Sequence, residues 1–285
     1  MEIVLANEMG FCFGVRRAVE MMEEATQDQG SMVSLGSVVH NPQVVAQLRE
    51  KGLDVIASLS EVSERPVAIT AHGVSENVVR ELESRGVPVV DTTCPIVTRS
   101  QQWAKRLADD GFAVVIFGDP NHKEVRGVLG WAEGKAFAVP TVEALDDLPD
   151  ELPSRIGVLS QTTETEGHFA EFVRALLERR MDRISELRVI NTLCNATTNQ
   201  QAAAQELAHQ VDLMFVIGGR ESANTRHLAE VAREEGVETH QVESAGEIRP
   251  EWLAGHERVG VTAGASTPDD AIDAVVTRLR ELAPA

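Results

Sequence analysis

Three cysteines, Cys12, Cys94 and Cys194, sit at matching places in an α/β unit that the chain writes three times. A lone cysteine is usually a small hydrophobe packed into a core. One per repeat, each at a strand-to-helix junction, predicts three thiolates meeting on a threefold axis. Three thiolates at one point ask for a metal centre. A three-ligand centre keeps one position free for another molecule.

The repeat is read forward from each cysteine. Helical spacing follows in "VRRAVEMMEEATQ", "PIVTRSQQWAKRLADDG" and "NATTNQQAAAQELAHQV", and Pro95 suits a first helical position. Short apolar strands come next, "SMVSLGS", "AVVIFGD" and "LMFVIGG". Each ends in a polar turn, "VVHN", "PNHKE" or "ESANT", and a second helix that Gly52, Gly134 and Gly236 are expected to close. The strands "DVIA", "AFAV" and "ETHQV" lead through acidic linkers to "PVAITAHGVS", "IGVLSQTTE" and "VGVTAGAST". A last helix completes each copy. The first two copies then run through "PVVDTTC" and "LRVINTLC" into the next cysteine, while the third has no such strand. The missing piece is "EIVLANEMGFC" at the start of the chain, so strand 1–11 is expected to complete the sheet of the third lobe.

These patterns predict an α/β protein of three similar lobes, 1–93, 94–193 and 194–285, each with a small, mostly parallel sheet. Ligand groups of parallel sheets lie at the strand C-terminal ends, and every polar turn falls there. Three lobes pointing those ends inward form a pseudo-threefold cloverleaf around one central cavity.

The 285 residues carry a formal net charge of −19, which argues against a nucleic-acid partner. No apolar run reaches the roughly 18 residues of a membrane span, and Glu2 stands where a signal peptide would be basic. A cytoplasmic protein without a membrane partner is expected. Three cysteines are an odd count for a disulfide scaffold.

Each cysteine precedes a helix, whose N-terminus favours the thiolate. Soft ligands in a set of three favour iron–sulfur chemistry over magnesium or calcium. Zinc is the second reading, but no fourth ligand is spaced for it. His40, His72 and His122 fall on inward turns and predict an anion site with proton traffic. His168, His209, His227, His240 and His256 fall in helices, outer segments or loops. Ser75, Thr162, Thr163, Thr197, Ser222, Asn224 and Ser266 offer neutral donors, either as helix caps or as part of a phosphate site. Glu124, two residues after His122, is a candidate proton donor with a raised pKa.

The motifs "GFCFGV", "VVHNPQVV", "AHGVS", "DTTCPIVT", "NHKEVRGVLGW", "SQTT", "CNATTNQQ", "SANTRHLAE" and "GVTAGAS" together resemble one family, the 4-hydroxy-3-methylbut-2-enyl diphosphate reductases. The resemblance runs from about Leu5 to Leu282. It implies the cloverleaf fold around an iron–sulfur cavity. Cys12, Cys94 and Cys194 would hold a 4Fe–4S cluster whose fourth iron is open to substrate. His40, His72, Ser222, Asn224 and Ser266 would grip a diphosphate, with His122 lining the same pocket. Thr162 would sit by the substrate hydroxyl and Glu124 would deliver protons. Thr163 and Thr197 would lie near the cluster. The implied activity is reductive dehydroxylation to isopentenyl and dimethylallyl diphosphate, with ferredoxin or flavodoxin as electron donor. A non-catalytic iron–sulfur sensor or diphosphate-binding regulator is the alternative. The chain departs from the family pattern at Ala223, where a second serine is common, at Lys123, where proline is frequent, and at Asn195.

Overall fold

A computed structural model describes residues 1–283. From the start run β1 (Glu2–Leu5), α1 (Phe13–Gln29), β2 (Met32–Leu35), α2 (Pro42–Glu50), β3 (Leu53–Ile56), β4 (Val67–Ile69), α3 (Glu76–Arg85) and β5 (Val89–Asp91). Then come α4 (Pro95–Asp109), β6 (Ala113–Phe117), α5 (Lys123–Leu129), β7 (Ala136–Val139), β8 (Arg155–Ser160), α6 (Glu166–Arg180) and β9 (Glu186–Val189). Last are α7 (Asn195–Ala208), β10 (Leu213–Ile217), α8 (Ala223–Glu234), β11 (Glu238–Val242), β12 (Arg258–Ala263) and α9 (Asp269–Leu282).

The strands form three four-stranded sheets, ordered β3-β2-β4-β5, β7-β6-β8-β9 and β11-β10-β12-β1. Every pairing is parallel. β1 therefore holds in its sheet the edge place that β5 and β9 hold in theirs. The inner strands β6 and β10 are buried at every position and read as unbroken apolar runs, as strands covered on both faces must. The three edge strands keep exposed positions.

The chain divides into two compact units. The first joins Met1–Arg16, Val39–Gln47 and the chain from Asn195 onward; the second joins Arg17–Val38 to Leu48–Cys194. In the first, α9 packs on one face of the β12–β10 pair through Val275, Val276 and Leu279, while α7 and α8 cover the other with alanine and leucine. In the second, Phe117 stacks on Phe169 and Phe172 beneath α6. There α4 and α5 cover the opposite face around Phe112 and Leu159, and a smaller core forms around Val33 and Leu82.

The internal repeat reaches the level of single residues. Residues 91–100 and 191–200 pass through buried, half-buried and exposed positions in the same order. One boundary differs from expectation. α5 ends at Leu129, and Gly130, not Gly134, takes its C-cap. Two glycines in the last turns, Gly127 and Gly130, weaken the helix, and the Trp131 indole leaves it to donate to the Val74 carbonyl at 2.9 Å. Glu133 and Gly134, both left-handed, then close a separate turn.

Candidate metal and anion site

The backbone places the three cysteines by one repeated device. The Cys12 N–H donates to the Ala265 carbonyl at 3.2 Å, Cys94 to Ala71 at 3.0 Å and Cys194 to Thr162 at 2.9 Å. Each bond extends a parallel ladder past the end of an edge strand and fixes the cysteine beside the turn of its neighbour. The residues that follow the three acceptors are Ser266, His72 and Thr163. Each thiol is thus tied to one of the expected polar turns.

In the second unit these ties bring several expected residues together. Cys94 caps α4, with Pro95 in the first turn, and Cys194 directly precedes α7. Cys194 is close enough to Cys94 to affect its charge. Burial pushes the Cys94 thiol up, against the amides of Ile96 and Val97, and both Cys194 and Glu124 push the same way. The helix N-terminus does favour the Cys94 thiolate through these amides, as expected, but desolvation outweighs them and the net shift is upward. Such a thiol gives up its proton when a cation arrives.

His122 caps α5, and its Nδ1 accepts from the Glu124 N–H at 3.3 Å. That bond requires a bare Nδ1, so the ring proton sits on Nε2. Glu124 is 4% exposed. Its Oε1 accepts from the Thr162 N–H at 2.8 Å, and its Oε2 from the Thr162 hydroxyl at 2.7 Å. Burial nonetheless raises its pKa, the two bonds opposing. His72 lies edge-on to His122, with ring centroids 5.7 Å apart. Hydrogen bonds thus tie His122 to the Glu124 backbone, the Glu124 carboxylate to Thr162, and the Thr162 carbonyl to the Cys194 N–H.

In the first unit Ser222 caps α8 and accepts from the Thr225 N–H at 3.3 Å. Asn224 follows in the first turn, buried. Its Nδ2 donates to Gln200 Oε1 at 2.9 Å, and Gln200 Nε2 donates to the Gly10 carbonyl at 2.8 Å. Asn224 Oδ1 is buried with no protein partner. Ser266 is half-buried in the turn between β12 and α9. His40 sits where Gly219 must be glycine, because a Cβ there would lie 2.2 Å from the His40 carbonyl oxygen. Thr197 is buried in the first turn of α7.

Sequence reasoning passed over Gln200, which ties Asn224 to the strand end before Cys12. It also passed over Gln161, which donates to the Thr163 hydroxyl at 3.1 Å and accepts from the Asp119 N–H at 3.1 Å. The available signal was a glutamine among the alanines that bury α7. As for a resident group, Cys12 in the first unit and Cys94 and Cys194 in the second all lie outside any disulfide and offer sulfur donors. That chemistry fits an iron–sulfur cluster, and the orphaned Asn224 oxygen in the first unit is open to a polar ligand.

Comparisons with known proteins identify the family. The pattern of the LytB protein family matches residues 3–280. A 4-hydroxy-3-methylbut-2-enyl diphosphate reductase of Dehalococcoides mccartyi strain CBDB1 is 46% identical over 99% of both chains. A reductase of the same name from Geobacter metallireducens is 43% identical over 99% of this chain and 98% of that protein. Among solved structures, the E-1-hydroxy-2-methyl-but-2-enyl-4-diphosphate reductase of Plasmodium falciparum superposes with a TM-score of 0.92 at 26% identity, covering 98% of this chain and 87% of that one. A second, the (E)-4-hydroxy-3-methyl-but-2-enyl diphosphate reductase described as the terminal enzyme of the non-mevalonate pathway, gives 0.69 at 37% identity, covering 99% and 100%. With that pattern spanning nearly its whole length, and relatives this similar from end to end, the chain belongs to the LytB protein family.

Proposed function

We propose that this protein reduces (E)-4-hydroxy-3-methylbut-2-enyl diphosphate to isopentenyl and dimethylallyl diphosphate, the last step of the methylerythritol phosphate route to isoprenoids. Substrate, two electrons and two protons give product and water. The observation that carries this reading is the buried Glu124 carboxyl, held on Thr162 at both oxygens. Burial raises the pKa of this carboxyl, and a carboxyl whose pKa is shifted towards the working pH is suited to act as a general acid.

Cys12, Cys94 and Cys194 are the residues that would hold a 4Fe–4S cluster. When bound, such a cluster supplies electrons one at a time and an open, Lewis-acidic iron. His40, His72, Ser222, Asn224 and Ser266 bind the diphosphate, and His122 offers its Nε2 proton to the same anion. Binding energy from the diphosphate fixes the distant hydroxyl. Thr162 receives that hydroxyl. Protonated Glu124 gives its proton to Thr162 Oγ1, whose own proton passes to the departing hydroxyl, which leaves as water. Glu124 is then recharged for the second proton, at carbon.

A small one-electron protein such as ferredoxin or flavodoxin is the proposed donor. The cytoplasm, where thiols stay reduced, is the proposed compartment. Among the described residues, no helix is long and apolar enough to cross a membrane.

The test is anaerobic Mössbauer spectroscopy of protein reconstituted with iron-57, with and without substrate, followed by turnover. One distinct iron that shifts on adding substrate, with both five-carbon products formed, is expected. A cluster indifferent to substrate would leave the sensor reading instead.

A further inference from the structure

A cavity of about 320 Å³ lies in the second unit, at the C-terminal ends of β2, β3 and β4. None of the residues assigned above to cluster or substrate lines it, apart from turn neighbours of His72 and His122. Its volume is at the lower end of the roughly 300–1,000 Å³ of small-molecule pockets.

Its lining is built for an anion on one side. Lys123 and Arg126, one turn apart on α5, share a helix face and both line the cavity. Lys123 reaches across to the glycine after β2: a Cβ on Gly36 would lie 3.2 Å from its Nζ. Lys123 is half-buried, and the burial has no opposing acid to offset it. Other cations of this acidic chain are matched, as Arg65 is by Asp54 and Arg188 by Asp110. Among the described residues, no side chain pairs with either Lys123 or Arg126. Glu76, the first residue of α3, pairs through Oε1 with Lys105 at 2.6 Å and Arg80 at 3.0 Å, while its Oε2 is buried with no hydrogen-bond partner among the described residues.

The N-terminus of α3, ten residues long, contributes a second feature. Its cap, Ser75, makes no capping bond with its side chain, yet it lines the cavity. The turn before it is rigid, since the Val74 carbonyl accepts from both Gln101 Nε2 and the Trp131 indole. Aliphatic side chains of Leu35, Leu59, Val74 and Val78 also line the cavity.

We propose that this cavity binds a small organic phosphate, its phosphoryl head on Lys123, Arg126 and Ser75 and a short aliphatic part against Leu35, Leu59, Val74 and Val78. The cavity borders the turns that carry His72 and His122 without being lined by either histidine, and binding there does not depend on the reaction proposed above.

Calorimetry on the anaerobic, cluster-loaded full chain tests it, with dimethylallyl diphosphate and inorganic diphosphate as probes. The comparison is with the double variant Lys123→Gln/Arg126→Gln, whose side chains are half-exposed and exposed and so dispensable for folding. Wild type is expected to show a class of sites for dimethylallyl diphosphate that the variant loses by about tenfold or more, the scale of lost charge-assisted contacts. Superimposable isotherms for the two proteins would overturn the proposal. So would inorganic diphosphate binding that class as tightly as the ester, which would remove the aliphatic wall from the site.

Discussion

Glu124 and Thr162 meet through both carboxylate oxygens, one taking the threonine's backbone N–H and the other its hydroxyl. Both bonds favour the ionised acid. Burial favours the neutral one and wins. The carboxyl is thereby poised: its proton stays on into a pH range where ordinary glutamates have lost theirs, and once protonated it can reverse the bond to the Thr162 hydroxyl and donate to it. The Thr162 carbonyl also receives the Cys194 N–H, so the acid's position is set by the same strand end that sets a thiol.

Activity is expected to fall as pH rises through the raised Glu124 pKa, because the acid form does the work. In Thr162→Val one of the two bonds to the carboxylate is gone, so the pKa rises further and the alkaline limb of kcat/KM moves to higher pH. The same change removes the hydroxyl that passes the proton on. We therefore expect kcat to drop by about 10²–10⁴, the usual worth of positioned acid catalysis. A pH profile of kcat/KM for both proteins checks it; an unmoved alkaline limb would take Glu124 out of the proton path.

The same group makes a prediction about stability. A carboxyl whose folded pKa lies above its unfolded value costs nothing below the unfolded pKa. It destabilises the fold progressively as pH rises from the unfolded pKa to the folded one, and by a constant amount above that. Glu124→Gln keeps an acceptor for the Thr162 N–H and a polar partner for its hydroxyl, without the charge. Its stability relative to wild type should therefore grow with pH and vanish as an advantage in acid, while turnover collapses. Urea unfolding at several pH values measures this; a difference independent of pH would contradict the burial argument.

The sheets were legible because each repeat announces its elements with local signals: alternating helical and apolar runs, glycine at turns, proline at a first helical position. The order β11-β10-β12-β1 required only noticing that the third copy lacks its last strand. What escaped was set by distant contacts. α5 stops early because Trp131 is drawn to Val74, far away in sequence. The Cys94 thiol is raised because the fold buries it, and a helix N-terminus read from sequence carries no measure of burial. Gln200 looks like any polar helix residue until Gly10 and Asn224 are placed on either side of it. The cations Lys123 and Arg126 look like a solvated face until β2 and α3 close a cavity against them.

Cys94→Ser should lose most of the iron after anaerobic reconstitution, because a hydroxyl does not supply the soft anionic ligand that thiolate does. Since the wild-type thiol is held protonated, metal uptake must displace that proton. Reconstitution of wild type should accordingly become more favourable as pH rises, and the serine variant, with two thiols left to deprotonate, should show a weaker dependence. Iron and sulfide content after reconstitution across pH reads both outcomes. Full retention in the serine variant would break the three-ligand assignment.

Gly219 offers a way to move His40 without touching it. It follows β10, and a Cβ there would meet the His40 carbonyl oxygen at 2.2 Å. The obstacle is backbone, so no side-chain rotation relieves it. Gly219→Ala must push apart the turn before α8 and the segment bearing His40, both within the first unit. We expect a loss of about 1–3 kcal/mol in stability, as for other overpacked sites, with a raised KM and a smaller change in kcat, because the histidine is assigned to diphosphate binding and not to proton delivery. Gly246→Ala is the control: its Cβ would meet nothing closer than the Ser244 hydroxyl at 3.8 Å, and both stability and KM should stay near wild type. If Gly219→Ala destabilises the protein yet leaves KM unchanged, His40 does not bind the diphosphate.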